Sequence, residues 1–160
     1  MAAENTKESQ PVKAIAKEGK YLTFALGKEE YGLEILQVRE IIGLMDITPV
    51  PQVPDYVRGV INLRGEIIPI IDLKKNFHQA DTEIFPASRI VVVMLNEKRC
   101  GILVDEVKQV VKVNREFISY TTDDLSLNYS KMVESVSRHD EHLILNLDLE
   151  QIVDFFALNK

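Results

Sequence analysis

From Tyr21 the chain alternates with a period of two. Tyr21, Thr23 and Ala25 share one side and Leu22, Phe24 and Leu26 the other, which predicts a strand. Gly27-Lys28-Glu29-Glu30 supplies a turn, and Tyr31 to Ile35 reads as the return strand of a hairpin. Val38, Ile41 and Ile42 have the spacing of one helical turn. Pro49, Pro51 and Pro54 fix φ and withhold amide donors, so that stretch is a loop or a sheet edge. Val57 to Leu63 and Ile67 to Leu73 are β-rich runs around Arg64-Gly65-Glu66, a hairpin whose tip displays Arg64 because Gly65 takes positive φ without steric cost. Arg89 to Leu95 and Arg99 to Val104 predict the next hairpin, and Val107 to Val113 a further strand. Asn114 is a candidate N-cap for a short helical turn from Arg115 to Ile118, and Thr121 to Ser130 is polar loop. Lys131 to Arg138 and His142 to Leu147 predict a last hairpin. Asp148 then caps a C-terminal helix carrying Leu149, Ile152, Val153 and Phe156. Residues 1–19 are polar and lack an aromatic residue, so they read as a disordered leader before a single domain over 20–160.

The chain also matches itself. Tyr31-Gly32-Leu33, Val38, Ile41 and Ile42 correspond to Cys100-Gly101-Ile102, Val107, Val110 and Val111 at a constant offset of 69 residues. Val57, Val60, Ile67, Ile68, Ile71, Asp72 and Leu73 correspond to Val133, Val136, Leu143, Ile144, Leu147, Asp148 and Leu149 at an offset of 76. Two tandem units of about five strands are predicted. Each is too small to bury a good core alone, so each is expected to close into a small barrel and pack on the other, leaving a groove between them. The fold class is mainly β, with short helices and a helix at the C-terminus.

Composition narrows the chemistry. Of the 160 residues, 46% are hydrophobic, enough to bury a core without staples. Cys100 is the only cysteine, so no disulfide forms within the chain and a reducing compartment is expected. Lys and Arg number 19 against 25 Asp and Glu, a formal charge of −6 that repels nucleic acid and acidic membranes. The longest apolar run, Ile90 to Leu95, is far short of a membrane span. No serine occupies a Gly-x-Ser-x-Gly turn, and Cys100 lies in an apolar strand pattern, the setting of an inert thiol. Asp105-Glu106 and Asp123-Asp124 are adjacent carboxylates that point apart on a strand, so neither pair converges for acid and base work. His139 and His142 flank Asp140-Glu141 in a spacing that can seed a metal site. At a hairpin tip, however, solvated polar side chains are the rule, and His78 is the only other imidazole. A metal- or small-ligand-binding β protein is thus the alternative of a different class. No catalytic residue, cofactor or metal is assigned.

The stretch Val53-Pro54-Asp55-Tyr56-Val57-Arg58-Gly59-Val60-Ile61-Asn62-Leu63-Arg64-Gly65-Glu66-Ile67-Ile68-Pro69-Ile70-Ile71-Asp72-Leu73 closely resembles the CheW family of bacterial chemotaxis coupling proteins. Phe24, Tyr31 to Ile35, Val38 to Ile42, Gly101 to Asp105 and Leu143 to Asp148 follow the family pattern in order, so the resemblance spans about Lys20 to the C-terminus. One departure is Glu134-Ser135-Val136, where the family usually has Glu-Gly-Val; Ser135 must adopt ordinary strand angles or carry strain. The resemblance implies two intertwined five-stranded SH3-like barrels and no catalysis. It implies a cytoplasmic adaptor, monomeric alone, that holds a CheA-type histidine kinase, through the kinase's regulatory domain, against the cytoplasmic tips of methyl-accepting chemoreceptors, in arrays at the inner face of the membrane without touching it. An equivalent adaptor in a chemotaxis-like pathway controlling surface motility has the same sequence features.

By the same resemblance, Gly59, Val60, Asn62 and Gly65 are expected to bind the kinase. Val38, Glu40, Arg64, Val91, Gly101 and Val110 are expected to bind a helical receptor tip in the groove. Each has a plainer reading. Gly59 serves a strand bend equally well, and the valines fit a core. Arg64 is expected to bridge Glu66 or Asp72 if it only staples its own hairpin. Glu40 alternates with apolar neighbours, so it should face solvent.

Overall fold

Paired β-branched runs dominate the computed structural model, which describes residues 19–78, 83–95, 97–114, 118–121 and 132–155. The expected leader (but for Gly19), residues 115–117 of the expected helical turn, most of the polar loop after Thr121, and Phe156 lie outside the described residues. The strands are β1 Gly19–Leu26, β2 Glu29–Glu34, β3 Val38–Ile42, β4 Val57–Leu63, β5 Glu66–Ile71, β6 Arg89–Leu95, β7 Lys98–Val104, β8 Glu106–Val113, β9 Ile118–Thr121, β10 Val133–His139 and β11 His142–Leu147. Helix α1 covers Leu73–His78 and α2 covers Leu149–Phe155.

The strands form a six-stranded sheet ordered β8-β1-β2-β11-β10-β9 and a five-stranded sheet ordered β3-β6-β7-β5-β4. The repeats do not fold side by side in tandem. The hairpin β1–β2 of the first repeat joins β8, β10 and β11 of the second, and the hairpin β6–β7 of the second joins β3, β4 and β5 of the first. The intertwined arrangement is therefore the observed one. It is sealed by two parallel pairs: Asn146 lies opposite Gly32 where β11 meets β2, and Ile70 opposite Gly101 where β5 meets β7. Periodicity marks which strands are equivalent but not which hairpin each one joins, because a parallel pair is made by strands far apart in sequence.

Three differences from the sequence reading have local causes. Val38 to Ile42 is a strand with a bulge between Val38 and Glu40, paired to β6. The extra residue puts Val38 and Ile41 opposite Val93 and Val91 on one face, which mimics helical spacing. The run from Ile67 ends at Ile71, because the Asp72 carboxylate accepts a hydrogen bond from the Lys75 amide at 3.0 Å and starts α1. Ile118 opens β9 and does not close a helical turn, and Thr121 ends that strand. The expected cap at Asp148 is present: it accepts from the Glu150 amide at 3.1 Å.

The main core lies between the sheets. Leu22, Phe24 and Leu33 on one side meet Val91, Val93 and Ile102 on the other, all fully or nearly fully buried. The outer face of the five-stranded sheet curls over a second cluster that includes Ile61, Leu63, Ile68, Ile70 and Ile90. Ile42 on β3 packs against that cluster although β3 and β4 are the two edges of the ladder, so the sheet rolls nearly shut. The ladder itself stays open. Its β4 edge is covered by Thr48, which exchanges two backbone hydrogen bonds with Val60 at 2.8 and 2.9 Å.

Gly59 makes this cover possible. Its φ is +146°, and a Cβ there would lie 2.2 Å from the Thr48 carbonyl oxygen. Gly59→Ala is expected to destabilise the protein by about 3 kcal/mol, lowering the urea midpoint without changing the slope. Asp72 is buried, caps α1 and accepts a 3.2 Å ion pair from Arg58, whereas Asp148 at the equivalent position only caps α2. Asp72→Ala should therefore cost at least about 2 kcal/mol and Asp148→Ala about 1 kcal/mol in the same assay; equal losses would contradict the assignment.

Candidate functional site

The tip of the β4–β5 hairpin is a two-residue turn in which Arg64 (φ +52°) and Gly65 (φ +90°) are both left-handed. Asn62 holds the turn by accepting a 2.8 Å hydrogen bond from the Gly65 amide. A left-handed arginine is uncommon and carries a modest conformational cost. Its guanidinium reaches across the rolled sheet and donates to the Glu40 carboxylate on β3. The side chains stay 64% and 30% exposed, so solvent screens the pair and it contributes little to stability. The expected partners of Arg64 are engaged elsewhere: Asp72 pairs with Arg58 at 3.2 Å and Glu66 with Arg99 at 3.6 Å. Reading only along the hairpin hid the true partner, which lies 24 residues away and is brought near by the roll of the sheet.

The fold brings Glu40 and Arg64 together and sorts the other candidates by depth. Val60 and Asn62 alternate on the outward face of β4, with Asn62 exposed and Val60 half-buried, while Gly65 is exposed at the tip. Gly59 is buried beneath Thr48, so the backbone contact accounts for glycine there without a partner. Val38 is half-buried against the main core and Val110 is exposed on edge strand β8. Val91 is fully buried between the sheets. Gly101 is buried too, and a Cβ there would lie 2.7 Å from both Ile70 Cδ1 and Ile90 Cγ2.

The sequence reading missed a pair of exposed apolar residues. Ile67 and Leu143 occupy equivalent positions in the two repeats and are 60% and 59% exposed. The repeat match contained both. In the run Ile67-Ile68-Pro69-Ile70-Ile71, however, every position is apolar, so alternation does not tell the outward residues from the inward ones.

The alternative chemistry finds no geometry. His139 and Asp140 approach to 3.8 Å at the β10–β11 tip, and among the described residues no group of three or more potential ligands converges. Burial pushes the Cys100 thiol up to about 11, away from a reactive thiolate at neutral pH.

Comparison with known proteins agrees with this arrangement. The family model described as CheW-like domain matches residues 20–156. The chain is 31% identical to a chemotaxis protein CheW of Treponema pallidum over 143 residues, covering 87% of this chain and 84% of that one. It is 32% identical to a chemotaxis protein CheW of Klebsiella aerogenes, covering 83% and 80%. Its structure matches the crystal structure of the scaffolding protein TtCheW from Thermoanaerobacter tengcongensis with a TM-score of 0.75 at 32% identity, over 82% of this chain and 90% of that one. With its two interlocked sheets and a match over nearly the whole described length, the chain belongs to the CheW family, the non-catalytic scaffold proteins of chemotaxis.

Proposed function

We propose that this chain couples the cytoplasmic tips of chemoreceptors to the regulatory domain of a CheA-type histidine kinase, acting as an adaptor in the cytoplasm at receptor arrays. Membership of the CheW family supports the reading. The observation that carries it to particular residues is the exposed Glu40–Arg64 pair, on a rolled sheet that is held together by other contacts. An exposed ion pair that the fold does not need is available to exchange partners with a second protein. Arg64 offers a planar fork of donors for a carboxylate or carbonyl of the partner, and Glu40 an acceptor beside it.

In this reading Glu40, Arg64, Val38 and Val110 meet the receptor, with Val91 and Gly101 shaping the strands beneath them. Val60, Asn62 and Gly65 meet the kinase, on a strand whose path Gly59 sets. Among the described residues no helix is long and apolar enough to cross a membrane, which agrees with recruitment through receptors. The free protein is mainly monomeric in this reading, because its partner surfaces belong to other chains.

Calorimetric titration of the full chain with the kinase regulatory domain from the same organism tests this. Wild type should bind saturably at one to one, and sedimentation should show a monomer beforehand. Arg64→Ala and Glu40→Ala are each expected to keep the wild-type circular dichroism spectrum and to lose under about 1 kcal/mol of stability. Both should bind the kinase domain like wild type and a receptor-tip fragment about tenfold more weakly. Absence of kinase binding by folded wild type overturns the adaptor reading, and loss of kinase binding in either variant moves that residue to the kinase face.

A further inference from the structure

The two halves of the molecule share a topology and the main core, to which β10 and β11 contribute Val133, Val136 and Leu147, but they differ in the rest of their interior. Among the described residues, every buried polar residue that lies within a strand belongs to the six-stranded sheet: Thr23, Glu134, Ser135, Ser137 and Asn146. The five-stranded sheet has none. The contrast is sharpest at equivalent positions, offset by 76 residues: Gly59, Ile61 and Ile70 in one half stand where Ser135, Ser137 and Asn146 stand in the other. Asn146, fully buried, donates to the hydroxyls of Ser135 and Ser137, each at 3.1 Å. Its Oδ1 has no hydrogen-bond partner and points at Gly32, lying 2.6 Å from where a Cβ would be. In the other half the matching contact is Ile70 against Gly101, apolar on both sides.

A buried amide with one orphaned end weakens the closed state, and water satisfies that end and both serines as soon as the strands part. An apolar interior gains nothing from water on opening and loses its burial. Beside this cluster the Tyr21 hydroxyl donates to the buried Glu134 carboxylate at 3.1 Å, a further polar pair that water accommodates once the strands separate.

We infer that the molecule is asymmetric by construction: β10 and β11 open as a separate unit of lower stability, whereas β4 and β5 stay closed until the whole chain unfolds. A partner that grips the β10–β11 half also suppresses its opening, while one that grips the β4–β5 half meets a surface already held closed.

Hydrogen exchange of the full chain, read by mass spectrometry as protection factors, tests this. Peptides spanning 133–147 are expected to show protection at least tenfold lower than those spanning 57–71. Equal protection, or lower protection in 57–71, overturns the inference. The cause is tested by removing the polar cluster together, in Asn146→Val with Ser135→Ala and Ser137→Ala, which should raise protection in 133–147 at least tenfold; a folded triple variant with unchanged protection overturns the assigned cause. Should that variant not fold, Ile70→Asn places a buried amide opposite Gly101, there without the hydroxyl partners that Asn146 has. It must lower protection in 57–71 selectively, and failure to do so counts equally against the inference.

Discussion

Two parallel strand contacts, Gly32 with Asn146 and Gly101 with Ile70, join the repeats, and the rest of the molecule depends on them. Each repeat supplies an amino-terminal hairpin that cannot complete its own sheet and completes the other's. At both seams the side chain opposite fills the space that a Cβ would take at the glycine, Asn146 Oδ1 at Gly32 and Ile70 Cδ1 at Gly101, so a methyl group at either glycine would have to displace that side chain. Once the hairpins are exchanged, the strands present alternate residues to a core shared by both sheets, and neither repeat can be removed without exposing the apolar face of the other.

The exchange also shapes the surface. Because β3 is anchored to the hairpin β6–β7 of the other repeat, it lies at the far edge of the sheet from β4, and the sheet must roll to bury Ile42 and Ile61 in one cluster. The roll carries the β4–β5 tip over to β3, which is how Arg64 reaches Glu40. Thr48 caps the free edge of β4 from the proline-rich loop, and a left-handed Gly59 admits it. Surface pair, edge cover and glycine are three consequences of a single curvature.

Much of this was legible in the sequence. Strand positions followed from alternation, and the repeat offsets paired residues that the structure makes equivalent, down to bulges at Val38/Glu40 and Val107/Gln109 and at Val57/Gly59 and Val133/Ser135. Ser135 keeps ordinary strand angles, so the second repeat does not need the glycine that Thr48 demands of the first. Three things stayed hidden. A bulge gave Val38, Ile41 and Ile42 a helical spacing. The apolar run from Ile67 to Leu73 hides the start of helix α1, although its cap, Asp72, matches Asp148, itself readable as a cap. The Arg64–Glu40 contact depends on curvature, which no local pattern encodes.

The depth of each candidate decides what a substitution there can reveal. Gly59, Val91 and Gly101 are packed inside, so altering them disturbs the frame, and a loss of partner binding would carry no information about contact. Glu40 and Arg64 are the reverse case: the pair is screened by solvent, and the two-residue turn requires a left-handed residue at position 64, as at the equivalent Asp140, but not a long cationic side chain. A cationic side chain that the turn does not need, in an ion pair that returns little stability, is available to a partner. The same reasoning separates Asn62, which satisfies the turn by accepting from Gly65, from Ile67 directly across the strand, whose exposed side chain has no intramolecular task comparable to it. In the proposed function, recognition rests on side chains that the frame positions but does not need.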